Sequence, residues 1–247
     1  PAVRWIKFGI DLNEPERIWF QDSRRHLFHY DWARLRLAPF LGLTRQQFDA
    51  VTLRRPGRQA ILGAVLIPGN PLLSEFGVQL VGQDEFTREE VAEVMRRVIA
   101  SVQAPGGSRG FYVPTQEQAP MARREQHWLE ERGIGVTGVD RWQSGDAVYS
   151  GGWAFGRIVY VPSARIAAAY TSGELRPKDI LLTDAVPAEV PFVAGILTLT
   201  PATPNSHVAI LAKTYGVPFG WSSDAALRQA IGSWSGRDVI VRMDEVR

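Results

Sequence analysis

The pattern of apolar and polar positions in the first 138 residues predicts a mixture of strands and helices. Short apolar runs that are rich in β-branched and aromatic residues are typical of strands. Such runs occupy residues 5–10, 18–20, 59–67, 77–81 and 111–114. The runs at 59–67 and 77–81 are joined around a Pro-Gly-Asn-Pro turn, which predicts an antiparallel pair.

Segments with helical periodicity lie between and after these strands. Thr87 and Glu90 form a capping-box pattern before a run with one apolar stripe, which predicts a helix that reaches Val102. Further helices are predicted over residues 30–37, over 45–51 after a cap at Thr44, and over 116–132 with an end at Gly133. This mixture of elements indicates an α+β module.

The rest of the chain alternates strands and helices more regularly. Strands are predicted over 157–161, 180–183, 194–199 and 238–242, and helices over 164–170, from His207 onward and over 224–231. Such alternation favours a layered α/β unit. The segment 135–146 is rich in glycine and polar residues, as a linker is. We therefore predict two domains, an α+β module of unknown role at 1–138 and a second domain at 139–247.

Composition narrows the classes of function. A hydrophobic content of 45% in 247 residues is enough for real cores. The formal net charge of +2 gives no support to nucleic-acid binding, and the absence of cysteine excludes disulfides, thiolate zinc sites and cysteine nucleophiles. Every apolar run is too short to span a membrane, and residues 1–9 lack the hydrophobic core of a signal peptide. We expect a cytoplasmic protein without nucleic-acid or membrane partners.

The segment 198–220, TLTPATPNSHVAILAKTYGVPFG, places one histidine between a strand and a helix. Two prolines end the strand, and Asn205 or Ser206 can cap the helix that begins around His207. The N–H groups and the dipole of a helix N-terminus favour an anion there, and neutral imidazole is a nucleophile near pH 7. The residues expected to hydrogen-bond the ring or a phosphate on it are Thr200, Thr203, Asn205 and Ser206.

This segment resembles the mobile swivelling domain of phosphoenolpyruvate-utilising enzymes. That family includes pyruvate phosphate dikinase, phosphoenolpyruvate synthase, enzyme I of the sugar phosphotransferase system and the plant starch dikinases. The stretch NSHVAILAK around His207 is similar to the family's Gly-Gly-x-Thr-Ser-His-Ala-Ala-like motif. Flanking similarity is found in GGWAFGRIVYV (151–161), GELRPKDILLTDAVP (173–187) and GVPFG (216–220). The resemblance covers roughly residues 140–247 and implies a β/β/α swivelling phosphohistidine domain.

The resemblance implies that His207 accepts a phosphoryl group at one active site and donates it at another. The chain also departs from the family pattern. Ala202 and Thr203 stand where the family has two glycines, Val208 where it has a small residue, and Lys213 where it has arginine. Loss of the glycines restricts the approach of backbone to a phosphate, whereas the Thr203 hydroxyl can replace a lost N–H contact.

A phosphoryl carrier needs partners that perform the chemistry at each end. Transfer from ATP requires a nucleotide site with bound Mg²⁺, and transfer from phosphoenolpyruvate requires a metal-bearing barrel. Neither fits beside the two predicted modules in 247 residues. We therefore expect part of a dikinase-like phosphotransferase that has no cofactor of its own. ATP and Mg²⁺ would be held by an ATP-grasp domain, with a phosphoenolpyruvate or pyruvate domain in some relatives, in the same longer chain or in a separate subunit.

Two other classes of function stay open. A binding or regulatory module that keeps the swivelling fold without catalysis would fit the missing glycines. A self-contained enzyme could use His26, His29 and Asp31 of the sequence HLFHYD as metal ligands. The second alternative is weak, because a His-x-x-His pair without further ligands is no strong metal motif and its neighbours are apolar aromatics.

Overall fold

The computed structural model describes residues 3–23, 25–70, 72–104, 106–143, 145–186, 189–204 and 206–244. The chain divides into two compact units, unit 1 (Pro1–Trp142) and unit 2 (Gln143–Arg247). Each described unit contains helices and its own sheet. The division falls inside the segment 135–146 that the sequence indicates as a linker, and the assignment of independent domains stays a prediction.

The described part of unit 1 forms a six-stranded sheet in the order β2-β1-β3-β4-β5-β6. Its strands are β1 (Arg4–Asp11), β2 (Ile18–Gln21), β3 (Ala60–Ile67), β4 (Glu75–Val81), β5 (Arg109–Tyr112) and β6 (Gly135–Val136). The predicted antiparallel pairing of β3 and β4 is confirmed. From β4 to β6 the neighbouring strands run parallel.

Helices cover both faces of this sheet. They are α1 (His29–Arg36), α2 (Arg45–Thr52), α3 (Arg88–Ser101), α4 (Ala119–Arg124) and α5 (Gln126–Glu130). The predicted capping box at Thr87 begins α3, whose buried stripe packs against Phe8, Ile10 and Ile61 of the sheet. On the other face, residues of α1 and α2 pack against Leu62. Unit 1 therefore has a buried hydrophobic core on each face of its sheet.

The helix predicted over 116–132 is wrong in two respects. It begins only at Ala119, because Pro120 has no N–H to bond back to residue 116 and is tolerated only in a first turn. It is also broken at Glu125, so that α4 and α5 are separate. Gln118 contributes to the late start, since its buried side chain accepts from the Phe86 N–H at 2.8 Å and donates to the Asp84 carbonyl at 2.9 Å.

The described part of unit 2 forms a second six-stranded sheet in the order β12-β8-β9-β10-β11-β7. Its strands are β7 (Ala147–Ser150), β8 (Gly152–Tyr160), β9 (Ile180–Thr183), β10 (Gly195–Thr198), β11 (Phe219–Trp221) and β12 (Asp238–Met243). Its helices are α6 (Ile166–Thr171), α7 (His207–Tyr215) and α8 (Ala225–Ser233). The strands β8, β9, β10 and β11 run parallel to one another. The edge strands are antiparallel to them, with β12 paired to β8 and β7 paired to β11.

The first half of β8 and the whole of β12 form a ribbon that lies across the central strands. A Cβ atom added at Gly195 of β10 would lie only 3.1 Å from the Ala154 Cβ of β8. One added at Gly220 of β11 would lie 3.0 Å from the Met243 sulfur of β12. A Cβ atom at either position would require its neighbour to shift by a few tenths of an ångström. Residues of α6 and α7 pack in the core with Ile196, on the opposite face of the sheet.

No helix in the described ranges is long and apolar enough to cross a membrane. The longest helix there is α3, which spans Arg88–Ser101 and carries charged residues along its exposed side.

Candidate functional site

The candidate site lies where the chain passes from β10 to α7. Because β8 to β11 are parallel, their carboxyl ends meet at one edge of the sheet, and ligands of open α/β sheets bind outside that edge. His207 is the first residue of α7 and its side chain is partly buried. The prediction that this histidine lies in the first turn of a helix that follows the strand is confirmed.

Ser206 begins the helix. Its hydroxyl oxygen accepts the Ala209 N–H at 3.1 Å, and its carbonyl accepts the Ile210 N–H at 3.1 Å. This is the arrangement expected of an N-cap, and it leaves the hydroxyl proton of Ser206 able to donate. At the other end, Gly216 has a φ of 68° and closes the helix in the left-handed conformation. Local sequence therefore fixes both ends of the helix that carries His207.

A tyrosine near the start of the unit's sequence anchors the loop before the histidine. The Tyr149 hydroxyl accepts the Ala202 N–H at 2.8 Å, and both residues are buried. The Tyr149 ring rests on Phe219 with a centroid distance of 4.6 Å. Burial raises the pKa of Tyr149 to about 12, so its hydroxyl is neutral at physiological pH. The Tyr149 side chain therefore anchors the loop before His207 to the sheet through Phe219.

Threonine hydroxyls fix the first part of the same loop. Thr200 donates to the Asp184 carbonyl at 2.7 Å, and Thr198 donates to the Thr200 carbonyl at 2.8 Å. The Leu199 N–H continues the pairing with a bond to the Thr183 carbonyl at 2.8 Å. The hydroxyl proton of Thr200 is thus committed inside the protein, which speaks against this residue as a donor to phosphate.

The carboxylate of Asp184 lies at the end of β9, next to this loop in the fold. Its Oδ1 accepts the Ser163 N–H at 2.7 Å and the Ala185 N–H at 3.0 Å. Burial acts to raise the pKa of Asp184, but these hydrogen bonds outweigh it and hold the pKa below its usual range. The charged carboxylate is therefore held by backbone donors, and its role here is to organise the connections at the carboxyl edge.

No family model, curated protein or solved structure matches this chain. The interpretation of the site therefore depends on its own geometry and on the motifs around His207.

The predicted ring and phosphate contacts have different outcomes. Ser206 lies beside His207 with a hydroxyl proton to donate, and the Thr203 carbonyl accepts the Ser206 N–H at 2.9 Å. Asn205 lies outside the described residues. Sequence reasoning missed Tyr149, because its bond to Ala202 joins residues that are far apart in the chain. The roles of all these residues in phosphate binding stay predictions.

The weak metal candidates lie in unit 1. His29 is partly buried, its Nε2 is 2.9 Å from the Gly63 carbonyl oxygen, and burial lowers its pKa to about 3. The His26 carbonyl accepts from the Gln21 side chain at 2.6 Å. In the described part of the chain, no group of three or more His, Asp or Glu could hold a metal ion. The geometry gives the hypothesis of a site at His26, His29 and Asp31 no support.

Proposed function

We propose that this chain is the phosphoryl-carrier part of a dikinase-like phosphotransferase, with His207 as the residue that accepts and donates the phosphoryl group. The observation that carries the proposal is the place of His207 at the first position of α7, beside the Ser206 hydroxyl and at the carboxyl edge of parallel strands. Helix geometry leaves the first N–H groups of α7 without acceptors in their own helix. The Ser206 hydroxyl oxygen accepts one of them, that of Ala209, so the positive end of the helix dipole and the Ser206 hydroxyl proton are the features that favour an anion on the ring.

The layers of unit 2 support the same proposal. The ribbon of β8 and β12 lies on one side of the central strands, and α6 and α7 pack on the other. This order of ribbon, sheet and helices is what a β/β/α swivelling domain requires. With unit 1 as a separate compact body, the arrangement also suits a two-domain protein with an α+β module before the carrier.

The proposed chemistry is two successive phosphoryl transfers. A ring nitrogen of His207 attacks the phosphorus of a donor held by a partner domain, the N–P bond forms, and the P–O bond to the donor breaks with its electron pair left on the donor oxygen. In the second step an acceptor oxygen attacks the same phosphorus, and the N–P electron pair returns to the ring. ATP and Mg²⁺ belong to the partner, an ATP-grasp domain. The chain supplies the nucleophile and the anion site.

Chemical phosphorylation tests this without the partner. The full chain is incubated with phosphoramidate, and the label is located by mass spectrometry and phosphorus NMR. We expect an acid-labile, base-stable label on His207 that is lost in His207→Ala. His127→Ala is the matched control, since the His127 side chain is 89% exposed on a charged helix. Labelling that follows exposure alone, with His127 ahead of His207, would contradict the proposal.

A binding or regulatory module without catalysis is the second candidate, and one observation favours it. The Ala202 N–H, at a position where the resembling family has glycine, bonds to Tyr149 and cannot turn to a phosphate without breaking that bond. The phosphoramidate experiment separates the two candidates. A chain that folds normally but is not labelled on His207 would support the binding or regulatory module, because it keeps the fold without the reactive histidine.

A further inference from the structure

Arg58 of unit 1 carries a buried charge without ordinary hydrogen bonds. Its side chain is only 4% exposed, and Nε, Nη1 and Nη2 are all buried with no hydrogen-bond partner among the described residues. The guanidinium lies over the Phe86 ring at 4.1 Å from the centroid. Burial of an ionised group without hydrogen bonds is costly, and native proteins keep such groups where they have a use.

The nearest carboxylate does not satisfy Arg58. Glu90 Oε1 is 3.9 Å from Arg58 Nη1, which is beyond hydrogen-bond distance. The other oxygen of Glu90 accepts the Thr87 N–H at 2.6 Å in the capping box of α3, and it lies 3.6 Å from Arg55 Nη2. The cap uses only that oxygen, and at 3.9 Å the Arg58 guanidinium forms an ion pair with Oε1 of Glu90 but no hydrogen bond.

Arg58 lines a cavity of about 350 Å³ beside α3. This volume is at the small end of the range for pockets that hold small molecules. One wall is apolar and is formed by Ile10, Ile61 and Val94, with Leu12 partly exposed at its edge. The cavity thus places a buried cation next to a hydrophobic surface.

The charges of the cavity favour a ligand with a single negative charge. Its lining contains three arginines, Arg55, Arg58 and Arg97, and two carboxylates, Glu90 and Glu93, which gives a net charge of 3 − 2 = +1. Arg97 is already paired with Glu93. The carboxylates would repel a dianion such as a phosphate monoester, whereas a monoanion balances the site.

We propose that this cavity binds a small monocarboxylate with an apolar body, and that the Arg58 side chain turns its buried guanidinium nitrogens toward the cavity to pair with the carboxylate. The planar guanidinium matches a carboxylate with two parallel hydrogen bonds, and this recognition is charge-assisted. The apolar body of the ligand lies against the Ile10, Ile61 and Val94 wall. This site is independent of His207 and gives unit 1 a binding function.

Isothermal titration calorimetry of the full chain with phenylacetate tests the proposal. We expect saturable binding, with phenylacetamide and inorganic phosphate at least about tenfold weaker, because the first lacks the charge and the second lacks the apolar body. Arg58→Met should weaken phenylacetate binding by at least about tenfold. Arg54→Met is the matched control, since Arg54 is exposed, bonds to Gln83 and does not line the cavity, and it should bind normally.

Thermal unfolding without ligand separates binding from a structural role. If Arg58 is kept for a ligand, Arg58→Met has an unchanged or higher Tm, because it removes an unsatisfied buried charge. A second variant, Leu12→Trp, fills the cavity edge with Arg58 in place and should abolish phenylacetate binding. Absence of saturable binding, equal binding of phosphate, unimpaired binding by either variant, or a lower Tm of Arg58→Met would each overturn the proposal.

Discussion

Replacing Tyr149 with phenylalanine removes one oxygen and keeps the ring packing on Phe219. The lost hydroxyl is the acceptor of the Ala202 N–H at 2.8 Å, and that amide is in a residue only 6% exposed. A buried donor left without an acceptor costs about 1–3 kcal/mol. We therefore expect Tyr149→Phe to lower the free energy of unfolding of the chain by this amount. The loop before His207 should loosen as well.

Two measurements test the prediction for Tyr149→Phe. Urea unfolding should shift to a lower midpoint with an unchanged slope, and amide hydrogen exchange at Ala202 should become faster. The matched control is Tyr215→Phe, because Tyr215 is 67% exposed and its substitution should change stability by less than about 0.5 kcal/mol. Unchanged exchange at Ala202 in Tyr149→Phe would refute the anchoring role of the hydroxyl.

The alkaline pH dependence gives an independent check of the same residue. The pKa of Tyr149 is about 12 in the folded chain, against about 10 for an exposed tyrosine. The unfolded chain loses this proton first, so stability is fully present below pH 10 and falls as the pH rises toward 12. Two pH units correspond to about 2–3 kcal/mol. Tyr149→Phe should remove this part of the decline, and an identical decline in both proteins would contradict the assignment.

Three further predictions concern other parts of the chain. Ser206→Asp keeps an N-cap acceptor for the Ala209 N–H, so the free energy of unfolding should change by less than about 0.5 kcal/mol. The added negative charge should slow phosphoramidate labelling of His207 about fivefold or more, as measured by intact mass spectra over time. The hydrogen bonds from Arg141 and Trp142 lower the pKa of the Glu75 carboxyl to about 2, so its stabilising contribution is present above pH 4.5 and is lost as the pH falls through 2. Glu75→Gln should therefore flatten the curve of unfolding free energy against pH in that window. An unchanged curve would count against the pairing. The chain given only ATP and Mg²⁺ should stay unlabelled by mass spectrometry, and self-phosphorylation would show a nucleotide site that the sequence does not indicate.

Local patterns in the sequence predict the elements well, because their signals lie within a few residues. The caps at Thr44 and Thr87, the β3–β4 pair and the helix that begins at His207 are all confirmed. The error at 116–132 has a local cause that was visible, since Pro120 forbids a helix that starts four residues earlier. Apolar periodicity alone therefore predicts a helix that is too long when a proline lies near its start.

Long-range contacts account for what could not be predicted. Strand β7 lies in a short segment after the predicted linker, and its identity comes from pairing with β11, more than 60 residues later. The bond between Tyr149 and Ala202 depends on that pairing. The burial of Arg58 likewise depends on α3 and the sheet coming together, and an arginine in a turn gives no sign of this in the sequence.

The internal bonds of the His207 loop limit where a phosphate can find donors. The Ala202 amide is held by Tyr149, and the Thr200 hydroxyl is held by the Asp184 carbonyl. A phosphoryl group on His207 would therefore draw on the dipole of α7 and on the Ser206 hydroxyl, whose oxygen accepts the Ala209 N–H and whose proton can still donate. Ala202, at a position where the family that this segment resembles has glycine, lies in a loop that the Tyr149 hydroxyl anchors. The proposed carrier function then depends on the helix terminus, and for that reason Ser206 is a sharper probe of the proposal than any change in the loop.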